Sequence, residues 1–63
     1  MRTEIITKGS KAVVINTNGE GYGYWANLYV NYSGDLRNAD ITGLRWTGKT
    51  STGARKWAKK ALS

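Results

Sequence analysis

The sequence contains no cysteine, no histidine and no proline, and it has only four acidic residues. Without cysteine the chain cannot form disulfides, and without a cluster of histidine, cysteine and carboxylate ligands it offers no structural metal site. The four acids, Glu4, Glu20, Asp35 and Asp40, show no spacing that would force two carboxylates together for acid–base chemistry. We therefore expect a binding protein rather than an enzyme, with no metal ion and no cofactor.

A long hydrophobic run is also missing. No apolar stretch approaches the roughly 18 residues of a membrane span, and no charged segment followed by an apolar one marks a secretory leader. We therefore expect a cytoplasmic protein that does not enter a membrane. The 63 residues are expected to form a single domain, residues 1–63. A domain of this size buries only about 60 % of the surface that its unfolded chain exposes, so good packing or self-association must support it.

The positive charge is concentrated at one end of the sequence. The net charge is +6, and residues 1–40 carry four basic and four acidic residues, so the whole excess lies in residues 41–63. A one-sided field of this kind attracts polyanions, of which nucleic acid is the commonest in a cytosol. Lysines on a solvated helix face, which serve only solubility, would give the same pattern. The six basic residues of this segment are Arg45, Lys49, Arg55, Lys56, Lys59 and Lys60.

Residues 43–50, GLRWTGKT, match the phosphate-binding pattern G-x-x-x-x-G-K-[ST]. That loop functions between a buried parallel strand and a helix, and parallel strands need crossover connections of about a dozen residues or more. A chain of 63 residues has no room for several crossovers, and no carboxylate that could hold magnesium follows Lys49. We interpret the match as a glycine-containing connection that leads into a helix.

The N-terminal part of the chain has the pattern of a β-hairpin. Residues 3–8 and 11–17 are rich in β-branched side chains, which favour extended backbone. They flank Gly9-Ser10, a pair that is typical of a two-residue hairpin loop. The hairpin places apolar side chains on both faces, because Ile5 and Ile6 are adjacent in one strand.

Two further strands are predicted after the hairpin. Residues 22–32 alternate between apolar and polar positions, and they follow Asn18-Gly19, which supplies the positive φ angles of a second tight turn. Residues 33–35, Ser-Gly-Asp, turn the chain into a fourth strand over residues 36–46. Within that strand, Gly43 is expected to mark a bulge or a strand end.

Residues 50–62 predict an amphipathic helix. Thr50 or Ser51 is a natural N-cap, because its hydroxyl can accept a hydrogen bond from a free amide of the first turn. Apolar residues recur at the spacing i, i+3, i+4, i+7, i+8, and Trp57 among them is expected to anchor the helix in the core. The predicted fold is therefore α+β: an antiparallel meander of three to four strands with one C-terminal helix on one face.

The alternation of the third strand separates two surfaces. Tyr24, Ala26, Leu28, Val30 and Tyr32 are expected to meet the helix, and the residues between them to point away from it. The second set interleaves aromatic rings with amides, which suits the stacking or hydrogen bonding of bases. The aromatic pair could equally form cross-strand contacts on a half-exposed sheet. The outward set consists of Trp25, Asn27, Tyr29 and Asn31.

Over about residues 22–62 the chain contains, in this order, the segments YWANLYVNY, SGDLRNADITGLRW and TGKTSTGARKWAKKAL. This order resembles the small N-terminal DNA-binding domains of phage and transposon tyrosine integrases. In that family an aromatic-led strand, two further strands and a "KT" turn precede a basic, alanine-rich helix. The resemblance implies that the sheet face away from the helix enters the DNA major groove. A stand-alone accessory protein of a phage or mobile element fits this chain, because no recombinase accompanies it. The resemblance assigns Trp25, Asn27, Tyr29, Asn31 and Arg45 to this surface.

Three alternatives stay open from the sequence. Nucleic acid could contact the sheet face or the basic helix, which adds Lys49, Arg55, Lys56, Lys59 and Lys60 to the candidate residues. A homodimer could cover the second face of the sheet. The chain could instead bind an acidic protein partner, as an inhibitor or modulator of a host protein, through apolar residues that one short helix leaves uncovered. In that case the apolar surplus is Trp25, Tyr29, Val14 and one of Ile5 and Ile6.

Overall fold

The protein is described here by a computed structural model covering residues 2–19 and 21–63. Four antiparallel strands form one sheet in the order β1-β2-β3-β4, and one helix follows them. This arrangement confirms the predicted ββββα fold. The elements are β1 (Arg2–Lys8), β2 (Lys11–Thr17), β3 (Tyr24–Val30), β4 (Asp40–Gly48) and α1 (Ser51–Leu62), with a short 3-10 helix at Leu36–Asn38 before β4.

The first hairpin forms as the sequence predicts. Lys8 pairs with Lys11 across the two-residue loop, and the register continues without interruption to the pair Arg2 and Thr17. Gly9 has a φ of 60°, a value that glycine adopts without the steric penalty of a side chain. The loop therefore fixes which residues of β1 and β2 lie side by side.

The connection between β2 and β3 is longer than the predicted tight turn. Thr17 pairs with Tyr24, so six residues separate the strands, and Glu20 among them lies outside the described residues. Among the described residues of this loop, the positive φ angles belong to Gly19, Gly21 and Gly23, and Asn18 does not share them. The buried Thr17 hydroxyl holds the loop together: it accepts a hydrogen bond from the Gly19 amide at 3.1 Å and lies 2.8 Å from the Gly23 carbonyl oxygen.

The fourth strand begins later than predicted. Residues 36–38 form the 3-10 helix because Asp35 caps it, its Oδ1 accepting a hydrogen bond from the Arg37 amide at 2.9 Å. β4 then runs from Asp40 to Gly48 instead of over residues 36–46. The prediction for Gly43 is confirmed. It has a φ of 83° and lies in an irregular stretch, where the partners of β3 jump from Arg45 to Ile41.

Helix α1 packs over the sheet and closes the hydrophobic core. Thr50 is the N-cap, and its Oγ1 accepts a hydrogen bond from the Gly53 amide at 3.1 Å. The prediction that Trp57 anchors the helix is confirmed, since it packs half-buried against the core. The buried residues of this core are Val13, Ile15, Ala26, Leu28, Ala54, Ala58 and Leu62.

The prediction for the helix-facing side of β3 is correct for three of its five residues. Tyr24, Ala26 and Leu28 belong to the core or pack against it. Val30 and Tyr32 do not, because the strand ends at Val30 and the next residue has a φ of 57°, which turns the chain out of the sheet. The Tyr32 amide then bonds to the Ser10 carbonyl at 2.8 Å.

Candidate nucleic-acid interface

The sheet face that α1 leaves uncovered is built from three rows of side chains. Alternation along each strand and the pairing register place one residue from every strand in each row. We call this surface the open face. Its rows are Thr3, Asn16, Trp25 and Thr47; Ile5, Val14, Asn27 and Arg45; and Thr7, Ala12, Tyr29 and Ile41.

The open face combines amides, hydroxyls, aromatic rings and one guanidinium group with four aliphatic side chains. Trp25, Asn27, Arg45 and Thr47 line one shared depression on it. Trp25, Asn27 and Tyr29 are half-buried and Arg45 is exposed, so their polar and aromatic groups remain accessible. The structure thus brings together four of the predicted site residues, Trp25, Asn27, Tyr29 and Arg45.

Within the described residues, the rows of the open face contain no carboxylate. Glu4 lies on the helix side of β1, in the same row as Ile15. Asp40 pairs with Val30, one position away from the row of Ile41, and Asp35 caps the 3-10 helix. This surface is therefore free of the negative charge that would repel a phosphate backbone.

The predicted surplus of exposed apolar residues is only partly correct. Val14 lies on the open face, yet its exposed fraction is only 6 %, because its neighbours in the row, Ile5 and Asn27, lie against both sides of it. Other apolar groups do reach solvent: Tyr22 in the loop before β3, Leu44 in β4, and one residue of the open face at each edge of the sheet. Ile5 is 43 % exposed in β1, and Ile41 is 60 % exposed in β4.

Asn31 does not belong to the open face. The strand alternation that predicted it ends at Val30, and Asn31 itself adopts the left-handed conformation with a φ of 57°. Its side-chain amide donates a hydrogen bond to Asp40 Oδ2 at 2.7 Å. Asn31 therefore joins the start of β4 to the end of β3, and its amide already has a protein partner.

Most of the predicted basic residues lie on the other side of the molecule. Arg55, Lys56, Lys59 and Lys60 are exposed on α1, which covers the opposite face of the sheet from Trp25. The helix side and the open face are therefore two separate candidate surfaces. One groove of a duplex cannot contact both at once.

One of the helix cations is neutralised by β1. Arg55 donates two hydrogen bonds to the carboxylate of Glu4, from Nη2 at 2.9 Å and from Nε at 3.2 Å. These bonds lower the pKa of Glu4 below its usual value and raise the pKa of Arg55. The expectation of six uncompensated cations in the C-terminal segment is therefore wrong for Arg55, because a residue 51 positions earlier pairs with it.

The segment that matches a phosphate-binding loop has a different structure from such a loop. Residues 43–48 lie inside β4, an antiparallel edge strand, and only Lys49 and Thr50 connect it to α1. The connection is therefore shorter than we interpreted from the sequence, and its two residues include no glycine. Thr50 uses its hydroxyl to cap the helix, and Lys49 is exposed at the connection.

Sequence reasoning missed the residues that complete the first row. Thr3 donates a hydrogen bond from Oγ1 to Asn16 Oδ1 at 2.8 Å, and Asn16 in turn lies beside Trp25 in the register. The two-residue hairpin loop carried the necessary signal, because pairing Lys8 with Lys11 places Thr3 opposite Asn16. Ile41 had no such signal, since its position in a row depends on the irregularity around Gly43.

Comparisons with protein-family models, with curated proteins and with solved structures return no match for this chain. Over the described part of the chain, no helix is both long enough and apolar enough to span a membrane. The site must therefore be interpreted from its own geometry.

Proposed function

We propose that this protein binds nucleic acid, and specifically double-stranded DNA, through the open face of its sheet. The observation that carries the proposal is the set of polar and aromatic groups in the rows: amides, hydroxyls, aromatic rings and a guanidinium group stand beside four aliphatic side chains, without a carboxylate among the described residues. Amides read adenine edges and guanidinium groups read guanine edges in the major groove. We propose a binding role rather than a catalytic one.

The side-by-side arrangement of β3 and β4 supports this assignment. The major groove of B-form DNA, about 12 Å wide, admits a two-stranded β-ribbon, and β3 and β4 are the two strands at one edge of the four-stranded sheet. Asn27 and Arg45 are direct partners across this ribbon, so an amide and a guanidinium group would reach neighbouring base edges together. Trp25 and Tyr29 flank Asn27 on the same face, where their rings can contact thymine methyl groups or unstacked bases.

The charge distribution predicts how binding depends on salt. The rows of the open face contain one cation, Arg45, and Lys49 lies just beyond the end of β4. Because each neutralised phosphate adds about 0.9 to the slope of log affinity against log salt, contacts by these two groups predict a slope of about two. Binding through the helix lysines would give a steeper slope. We therefore propose that base contacts contribute more of the affinity than the net charge suggests.

The resemblance to the N-terminal domains of tyrosine integrases points to the same surface. In those domains the sheet face away from the helix contacts DNA, and the corresponding face here carries Trp25, Asn27, Tyr29 and Arg45. We propose that this chain acts as an accessory DNA-binding protein of a phage or mobile element.

Affinity measurements on two matched variants test this proposal. Arg45→Gln removes the cation of the open face, and Lys60→Gln removes one exposed cation from α1. The affinity for duplex DNA, measured across a salt series, should fall by about 1–3 kcal/mol in Arg45→Gln. Lys60→Gln should leave both the affinity and the salt slope nearly unchanged.

The opposite result would reject the open face as the binding surface. If Lys60→Gln flattened the salt slope while Arg45→Gln had no effect, DNA would be contacting the helix. If the wild-type protein bound neither duplex nor single-stranded DNA at low salt, nucleic-acid binding itself would be excluded.

A further inference from the structure

A second surface lies on the opposite side of the molecule, where a groove runs between α1 and strand β1. Its floor contains Ile6, which packs half-buried against the core, and Leu62, which is buried at the end of the helix. We call this the β1–α1 groove. Its full lining is Ile6, Thr7, Lys8, Thr52, Arg55, Lys56, Lys59 and Leu62.

The groove is positively charged along its walls. Lys8 contributes one cation from β1, and Lys56 and Lys59 contribute two from α1. Arg55 is balanced by Glu4, so three lysines provide the net charge. Among the described residues none of those that line the groove is acidic. A ligand in this groove would therefore need both negative groups for the walls and an apolar group for the floor.

The backbone of β1 borders the same groove. β1 is an edge strand of seven residues, and all of them except Ile6 are exposed. An edge strand presents a row of backbone amide and carbonyl groups without partners in the sheet. Its pairing with β2 is regular along the whole strand, whereas the other edge, β4, is interrupted near Gly43. β1 is therefore the better of the two edges for adding another strand.

We infer that the β1–α1 groove binds an extended acidic segment of a partner protein, which pairs with β1 as a fifth strand. In this mode main-chain hydrogen bonds align the segment, and alternate side chains enter the groove. An apolar side chain of the segment would cover Ile6 and Leu62, and carboxylates on the Lys8 side of it, away from Glu4, would meet the lysines. The inference does not rest on DNA binding, since it concerns the opposite side of the sheet.

Two other occupants fit the groove less well. A phosphate backbone satisfies the lysines, but it has no apolar group to bury Ile6 and Leu62 and no strand to pair with β1. A second copy of this chain brings a net charge of +6. Two copies paired through this groove would bring their groove lysines together, and these like charges repel each other.

A capped synthetic peptide tests the inference. In it threonine alternates with glutamate, glutamate and leucine, so that these three side chains share one face of a strand. Paired antiparallel to β1, the peptide places its leucine beside Ile6 and its glutamates beside and beyond Lys8. Titrated into the nitrogen-15-labelled protein, it should shift the backbone amides of β1 and the second half of α1. Replacing its glutamates by lysine, its leucine by serine, or its edge-facing amides by N-methyl groups should each weaken binding at least several-fold.

Two variants of the protein provide the matched comparison. Lys56→Gln combined with Lys59→Gln removes two cations from the groove wall, and Lys60→Gln removes one that does not line it. Exposed charge pairs contribute modestly, so the double variant should bind the peptide about tenfold more weakly. Lys60→Gln should bind as the wild type does.

The inference would be overturned by any of three results. The first is an absence of shifts in β1 and α1 with the acidic peptide. The second is equal binding of the lysine-containing peptide. The third is displacement of the peptide by duplex DNA, which would assign the groove to the phosphate backbone. Because DNA is proposed to shift β3 and β4, failure of one proposal is distinguishable from failure of the other.

Discussion

At the scale of single residues, the indole ring of Trp46 controls the junction between β4 and α1. The ring lies so close to Gly48 that a Cβ atom there would overlap it, and a Cβ atom at Gly53 would lie 3.1 Å from its Cζ2 atom. Gly48 does not have a positive φ, so its backbone would accept alanine. The glycine is therefore required by the space that Trp46 occupies.

We predict that Gly48→Ala destabilises the protein. Overpacking against a well-packed ring costs about 1–3 kcal/mol, and the reduced freedom of the unfolded chain returns only about 0.4–1 kcal/mol. The free energy of unfolding, measured by urea denaturation, should fall by about 1–2 kcal/mol. In a Trp46→Leu background the same substitution should cost much less, and an equal cost in both backgrounds would show that Trp46 is not the cause.

The ion pair between Glu4 and Arg55 predicts a specific pH dependence. Hydrogen bonds from Arg55 hold the pKa of Glu4 below its usual value of 4.5. A lowered carboxylate pKa stabilises the folded state above the usual value, and this contribution is lost as the pH falls through the folded pKa. A carbon-13 titration of the Glu4 carboxyl should therefore show a midpoint below 4.5, which Arg55→Gln returns towards that value.

The urea midpoints of the same proteins provide an independent check. Between about pH 5 and pH 3 the midpoint should fall less in Glu4→Gln than in the wild type, because the variant has lost one carboxylate with a lowered pKa. Asp35→Asn should show the same behaviour, since hydrogen bonds from Arg37 lower the pKa of that carboxyl as well. A wild-type Glu4 titration at its usual pKa would contradict the account of this pair.

At the scale of elements, the sequence predicted α1 and the first hairpin because their signals are local. The helix has a hydroxyl cap and a continuous apolar stripe, and the hairpin has a two-residue loop. The start of β4 was mispredicted, since the side chain of Asp35 holds residues 36–38 in a helical turn that competes with the strand. The end of β3 was mispredicted because Asn31 adopts a positive φ, which residue alternation does not reveal.

The N-cap of α1 gives a prediction at this scale. Thr50→Ala removes the hydroxyl that accepts the Gly53 amide, and it should lower the free energy of unfolding by about 1 kcal/mol. Thr50→Ser retains the oxygen and should restore most of this stability. Thr52→Ala, at an exposed position of the same first turn, is the control. Thermal or urea denaturation that showed equal losses for Thr50→Ala and Thr52→Ala would rule out the capping role.

At the scale of the whole molecule, the sheet separates two surfaces of different chemistry. The open face carries amides and aromatic rings with one cation, and the helix side carries three groove lysines beside an exposed strand edge. Strand alternation was enough to predict that Trp25, Asn27 and Tyr29 share a face. The charge count could not predict that one of the helix cations is paired, because Glu4 neutralises Arg55 only after the chain has folded. The homodimer stays a prediction.

The most direct test of the open face is the response of individual side chains to duplex DNA. In the nitrogen-15-labelled protein, the indole N–H of Trp25 and the side-chain amides of Asn16 and Asn27 report on the open face, whereas the indole N–H of Trp57 reports on the helix side. On addition of DNA we predict shifts of the first three signals and an unchanged Trp57 signal. Shifts confined to Trp57 and the amides of α1 would contradict binding through the open face.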